Sequence, residues 1–137
     1  MSVRASGAAT FLVTVLAACA AKEDSVSSQV DIPIACVLSA LSPEQRARES
    51  VLLKEHLASV QEVKERDDGY AYRYAPDMAL FGRLAELVTL EHRCCPFLDF
   101  RLEWLRGSSS PWLQVTGGAR IKGFVNDTFT PTSNRRT

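Results

Sequence analysis

Cys94 and Cys95 stand side by side just before Pro96, where a strongly amphipathic run of residues ends. Adjacent thiols at a helix end concentrate two soft, ionisable donors, and two kinds of chemistry use such donors: ligation of a thiophilic ion and thiol–disulfide exchange. The run Leu80 to Glu91 places Leu80, Phe81, Leu84, Leu87 and Val88 on one stripe at helical spacing, and Glu91 lies on the same stripe. Cys95 follows Glu91 by four residues and Val88 by seven, so a carboxylate and a thiol leave the helix side by side. A third thiol, Cys36, lies in the apolar segment Ile32 to Leu38. If the helix packs on the sheet that holds Cys36, three thiolates converge, with Glu91 as an auxiliary oxygen donor. Such a set suits Zn²⁺, Cu(I), Hg²⁺ or trivalent arsenic over Mg²⁺ or Ca²⁺.

The elements that must position these residues are readable along the chain. Pro76-Asp77 opens the long helix, and Pro96 biases Cys95 out of the helical region, so the helix ends at Cys94 or Cys95. Ile32 to Leu38 is partly β-branched and predicts a short strand with Cys36 inside it, at an edge because of Pro33. Ser42-Pro43-Glu44-Gln45 combines an N-cap serine, a first-turn proline and a capping-box glutamine. It predicts a helix to about Val60, with Leu53, Leu57 and Val60 inward and His56 on the flank.

Residues 61–66 suit a strand, Asp67-Asp68-Gly69 is a hairpin turn, and Tyr70, Tyr72 and Tyr74 share one face of the returning strand. Leu98, Phe100, Leu102 and Trp104 alternate with Asp99, Arg101 and Glu103 as a half-buried strand. A Gly-Ser-Pro turn leads into a further strand at Trp112 to Thr116, and a last helix turns Ile121, Phe124 and Val125 inward. The tail 130–137 is expected to be disordered. This order implies an α+β fold, a two-layer sandwich with a mostly antiparallel sheet and about three helices.

Each candidate also has a plainer role. Cysteine is among the most buried residue types, so Cys36 alone reads as a small hydrophobe in a strand. A buried Glu91 needs a partner or a shifted pKa. It could accept from a thiol, ligate an ion, or pair with Arg93 or Arg101. His92 points away from the apolar stripe and suits a solvated position, and the tyrosine row suits core or sheet surface.

The N-terminus has its own pattern. Arg4 precedes the apolar stretch Ala8 to Leu16, which falls well short of the about 20 residues needed to span a bilayer. Leu16-Ala17-Ala18-Cys19 follows and matches the lipobox of bacterial lipoproteins, in which the bond before the cysteine is cut and the thiol is lipidated. The implied organisation is a signal peptide at 1–18, a polar tether at 19–31 anchored to the membrane by lipid at Cys19, and a folded domain at 32–129. The chain is then exported and lipid-anchored on the extracytoplasmic face. An ordinary secretory signal, or a start at Val26 or Val30 that would leave the protein cytoplasmic, competes with this reading.

Sixteen basic and sixteen acidic residues cancel, and no basic cluster is interleaved with aromatics. The electrostatic footprint of a nucleic-acid binder is missing. With Cys19 lipidated, three cysteines remain, an odd set for an oxidising compartment.

Taken together, Ile34-Ala35-Cys36, Gly69-Tyr70, Leu90 to Phe97 and Trp112-Leu113 resemble a small bacterial domain whose long helix ends in a Glu-x-x-Cys-Cys-x-Phe signature. Glu91, Cys94, Cys95 and Phe97 match that signature, and Cys36 matches its upstream cysteine. Some members occur with mercury- or heavy-metal-responsive regulators, so the resemblance implies a part in heavy-metal resistance. The resulting expectation is a soft-metal-binding or metal-sensing accessory domain, with Cys36, Cys94, Cys95 and Glu91 at the metal and no catalytic residue. A thiol-redox enzyme and a structural lipoprotein with a disulfide from Cys36 are the alternatives.

Overall fold

The computed structural model describes residues 32–135, and the expected signal segment and the whole tether with Cys19 lie outside them. Three helices and four strands alternate: α1 (Pro43–Ser59), β1 (Glu62–Arg66), β2 (Gly69–Arg73), α2 (Met78–Cys94), β3 (Asp99–Glu103), β4 (Trp112–Thr116) and α3 (Lys122–Phe129). The strands form one antiparallel sheet in the order β1-β2-β4-β3. The fold is α+β.

Strand alternation makes one sheet face apolar. In register across all four strands run Val63, Tyr72, Leu113 and Leu102, and beside them Tyr70, Val115 and Phe100. These residues join Leu80, Leu84, Leu87, Val125 and Phe129 from the helices in one core. The opposite face carries Lys64, Arg73, Arg101 and Gln114. The hairpin turn needs glycine at its exit, because a Cβ on Gly69 would lie 2.1 Å from the Val115 carbonyl oxygen.

Local signals set the helix ends. Ser42 accepts from Gln45 N–H at 3.2 Å while Gln45 Oε1 accepts from Ser42 N–H at 2.9 Å, the reciprocal box that starts α1. Asp77 Oδ1 accepts from the N–H groups of Ala79 and Leu80 and caps α2. Two ion pairs clamp the helices together, Arg48 with Glu86 and Arg83 with Glu55, each at 2.6 Å. Surface pairs of this kind add little stability, but they set how α1 lies along α2.

Four expectations are corrected. The segment Ile32 to Val37 is not a strand; it runs exposed into a 3-10 turn at Leu38–Ala40, and Cys36 is exposed. Its Val37 N–H donates to the Cys94 carbonyl at 2.6 Å, so it caps the end of α2 instead of extending the sheet.

The inward face of α1 is Leu52 and His56, with Leu53, Leu57 and Val60 only half-buried. His56 is fully buried, because Tyr74 and the end of α3 supply partners for both ring nitrogens. The carbonyl oxygen of Phe129 can only accept, so Nε2 carries the proton and Tyr74 donates to Nδ1, each at 2.7 Å.

Glu91 pairs with neither Arg93, which donates to the Ala40 carbonyl, nor Arg101, which pairs with Glu103. The chain also stays ordered past Phe129. Thr130 is fully buried with its hydroxyl 3.0 Å from that of Tyr72, and a 3-10 turn follows at Thr132–Asn134. Among the described residues no helix is long and apolar enough to cross a membrane.

Candidate metal centre

The last turn of α2 continues the stripe that buries Leu80, Leu84 and Leu87, and so carries its polar residues inward. Glu91, Cys94 and Cys95 are 3%, 5% and 2% exposed, whereas His92 and Arg93 on the other side of the turn are exposed. Cys95 is the C-cap, its N–H bonded to the Glu91 carbonyl at 2.7 Å, and Pro96 prevents a further turn. The site therefore sits where regular helix stops.

One ligand atom from each of Glu91, Cys94 and Cys95 lies within 4.8 Å of the others, a group that could hold a metal ion. The Cys94 and Cys95 sulfurs are 3.7 Å apart. Two thiolates on a tetrahedral ion with Zn–S bonds of about 2.3 Å lie about 3.8 Å from each other, so this spacing is already the bite of a tetrahedral site. Glu91 Oε2 is 3.7 Å from the Cys94 sulfur.

Cys36 reaches the site from the exposed segment, with its sulfur 2.7 Å from that of Cys95. Three contacts fasten the segment over the helix end: Val37 N–H to the Cys94 carbonyl, Arg93 Nη2 to the Ala40 carbonyl at 2.9 Å, and Arg46 Nη1 to the Leu38 carbonyl at 3.4 Å. The helix end thus brings Glu91, Cys94 and Cys95 into one group, and the strap that crosses it sets Cys36 against the Cys95 sulfur beside that group. His92 and His56 stay outside the cluster.

A fifth residue, Glu49 of α1, lies across the helix pair near enough to act on the Glu91 carboxyl. Glu49 precedes Leu52 by three residues and His56 by seven, so it continues the true inward stripe of α1. Reading that stripe as Leu52 and His56 would have found it.

The electrostatics follow from burial without a compensating cation. Burial first, then the neighbouring Glu49, push the Glu91 carboxyl up to about 8. Burial and the nearby Glu91 push the Cys94 thiol up to about 11. Burial and the hydrogen bond with Cys36 raise Cys95 well above an ordinary thiol. Acid and thiols are all held protonated at neutral pH. A divalent cation placed among them would reverse this, since its charge favours thiolate and carboxylate and displaces their protons.

A cleft of about 350 Å³ on the other sheet face, bordered by Lys64, Leu105, Trp112 and Gln114, contains none of these residues. No protein-family model, curated protein or solved structure matches the chain.

Proposed function

We propose that this domain binds a thiophilic metal ion, with Cys36, Cys94 and Cys95 as sulfur ligands and Glu91 as the oxygen donor or its immediate hydrogen-bonding support. The observation that carries the reading is the buried group of Glu91, Cys94 and Cys95, whose two sulfurs stand at a tetrahedral bite, with the Cys36 sulfur beside that of Cys95. Three sulfurs and one carboxylate favour Zn²⁺, Cu(I), Hg²⁺ or trivalent arsenic, and disfavour Mg²⁺ and Ca²⁺. The resemblance to domains that accompany mercury-responsive regulators supports an accessory role in heavy-metal resistance.

A redox enzyme with Cys94 or Cys95 as the first nucleophile is less well supported, because both thiols are buried and an incoming substrate cannot reach them. The proposal extends to export and lipid anchoring through Cys19. In the native host, mass analysis of the mature chain checks it: lipid on Cys19 is expected, and an unlipidated protein starting near Val26 or Val30 would reverse the assignment.

The metal reading is tested by titrating the reduced chain with Zn²⁺ and Hg²⁺ while counting reactive thiols, with Mg²⁺ as control. Protection of the exposed Cys36 by the soft ions alone, at one ion per chain, is expected. Unchanged thiol reactivity with every ion would reject the reading.

A further inference from the structure

We propose that Cys36 and Cys95 are a thiol–disulfide exchange pair that operates this centre: a low-molecular-weight disulfide modifies Cys36, and Cys95 resolves the adduct. The metal-releasing consequence rests on the metal reading above; the exchange itself does not.

The geometry divides the labour between the two thiols. Cys36 is exposed and lies on a segment outside any regular helix or strand, so an incoming disulfide can reach it. Cys94 and Cys95 are buried at the helix end, so direct attack there is blocked. The Cys36 and Cys95 sulfurs are 2.7 Å apart, and closing to the about 2.05 Å of a disulfide takes less than an ångström. Val37 follows Cys36 and Cys94 precedes Cys95, and the bond from Val37 N–H to the Cys94 carbonyl holds the two cysteines facing each other. Cys94 competes poorly for Cys95. Neighbouring α-carbons are about 3.8 Å apart, below the usual disulfide range that begins at about 4.4 Å.

The reaction balances without a further oxidant. The Cys36 thiolate attacks one sulfur of the small disulfide, forming a mixed disulfide and expelling one small thiolate. The Cys95 sulfur attacks the Cys36 sulfur, forming the Cys36–Cys95 bond and expelling the second small thiolate, which takes up the Cys95 proton. Two electrons pass from the protein pair to the small disulfide, which leaves as two thiols. A bound ion loses both thiolates in this step and keeps only Cys94 and Glu91, too few donors to retain it. The same atoms therefore hold metal when reduced and release it when oxidised.

Oxidised glutathione is the probe, used on the full chain with peptide mapping by mass spectrometry. Wild type should yield the Cys36–Cys95 disulfide. Cys95→Ser should trap a glutathione adduct on Cys36, and Cys36→Ser should leave Cys94 and Cys95 unmodified. An adduct on Cys94, a Cys94–Cys95 bond, or no adduct on Cys36 in Cys95→Ser would overturn the proposal. A second arm starts from the zinc-loaded chain and reads released zinc with a chromophoric chelator. One zinc per disulfide is expected, and zinc that stays bound after full disulfide formation would overturn the regulatory role. If the reduced chain takes up neither Zn²⁺ nor Hg²⁺, the metal reading fails and the regulatory role with it, while the adduct and disulfide results still decide the exchange.

Discussion

Two polar clusters are buried in this small domain, and α1 contributes to both. His56 lies in one and Glu49 in the other, two helical turns or about 10 Å apart along the axis. Around His56 every bond is short, and the two to the ring have a determined direction, Tyr74 to Nδ1 and Nε2 to the Phe129 carbonyl, with the Tyr72 and Thr130 hydroxyls paired beside them. Burial pushes the imidazole down to about 4, so it stays neutral, and its partners ask nothing else of it. At the end of α2 a carboxyl faces another carboxyl beside the sulfurs of Cys94 and Cys95, and burial raises the acid and both thiols instead of a charge partner settling them. Burial alone does not mark a site. A cluster that neutral partners fully satisfy is structure, and one that improves on receiving a positive charge is a candidate for binding.

The comparison can be broken most directly at its structural half. His56→Ala removes a fully buried ring and strands both the Tyr74 hydroxyl and the Phe129 carbonyl, so unfolding free energy should fall by about 4 kcal/mol. Urea denaturation measures this, and the metal stoichiometry of the folded variant should be unchanged. Loss of metal binding without loss of stability would assign His56 to the wrong cluster.

At the other half, Cys95→Ser should lower affinity for Zn²⁺ by on the order of 100-fold or more, because serine supplies no readily ionised soft ligand. Competition titration against a chelator of known affinity reads it. Glu91→Gln should cost on the order of tenfold, since the amide keeps the shape while losing the charge.

The effect that separates the clusters most finely is on pH. Glu91 titrates higher when folded than its ordinary 4.5, so apo stability should decline as pH rises towards about 8. His56 titrates lower than its ordinary 6.5, so its contribution grows as pH rises from about 4. The two oppose each other up to about pH 6.5. Between about 6.5 and 8 only the Glu91 decline should remain, and Glu91→Gln should flatten it in urea midpoints measured without metal.

Much of this arrangement is legible in the residues before any packing is known. The stripe of α2, its Asp77 cap and its stop at Pro96 are local chemistry, and so are the Asp67-Asp68-Gly69 turn and the box that opens α1. What stays hidden depends on neighbours. Ile32 to Leu38 has the composition of a strand, but its Val37 N–H bonds to the end of α2, a choice made between segments distant in sequence. Leu52, Leu53, His56 and Leu57 allow two inward faces for α1. The packing against α2, with Arg48–Glu86 and Arg83–Glu55 across it, selects the face that buries His56 and delivers Glu49 to Glu91. Thr130 reads as tail because its partner Tyr72 is far upstream.

The central claim is that the helix end and the strap supply one sulfur-rich coordination shell. X-ray absorption fine structure of the reduced, zinc-loaded chain tests it most directly. The account predicts three sulfur neighbours at about 2.3 Å with one lighter donor, falling to two sulfurs in Cys36→Ser. A first shell of oxygen and nitrogen alone, or three sulfurs that persist in Cys36→Ser, would contradict it.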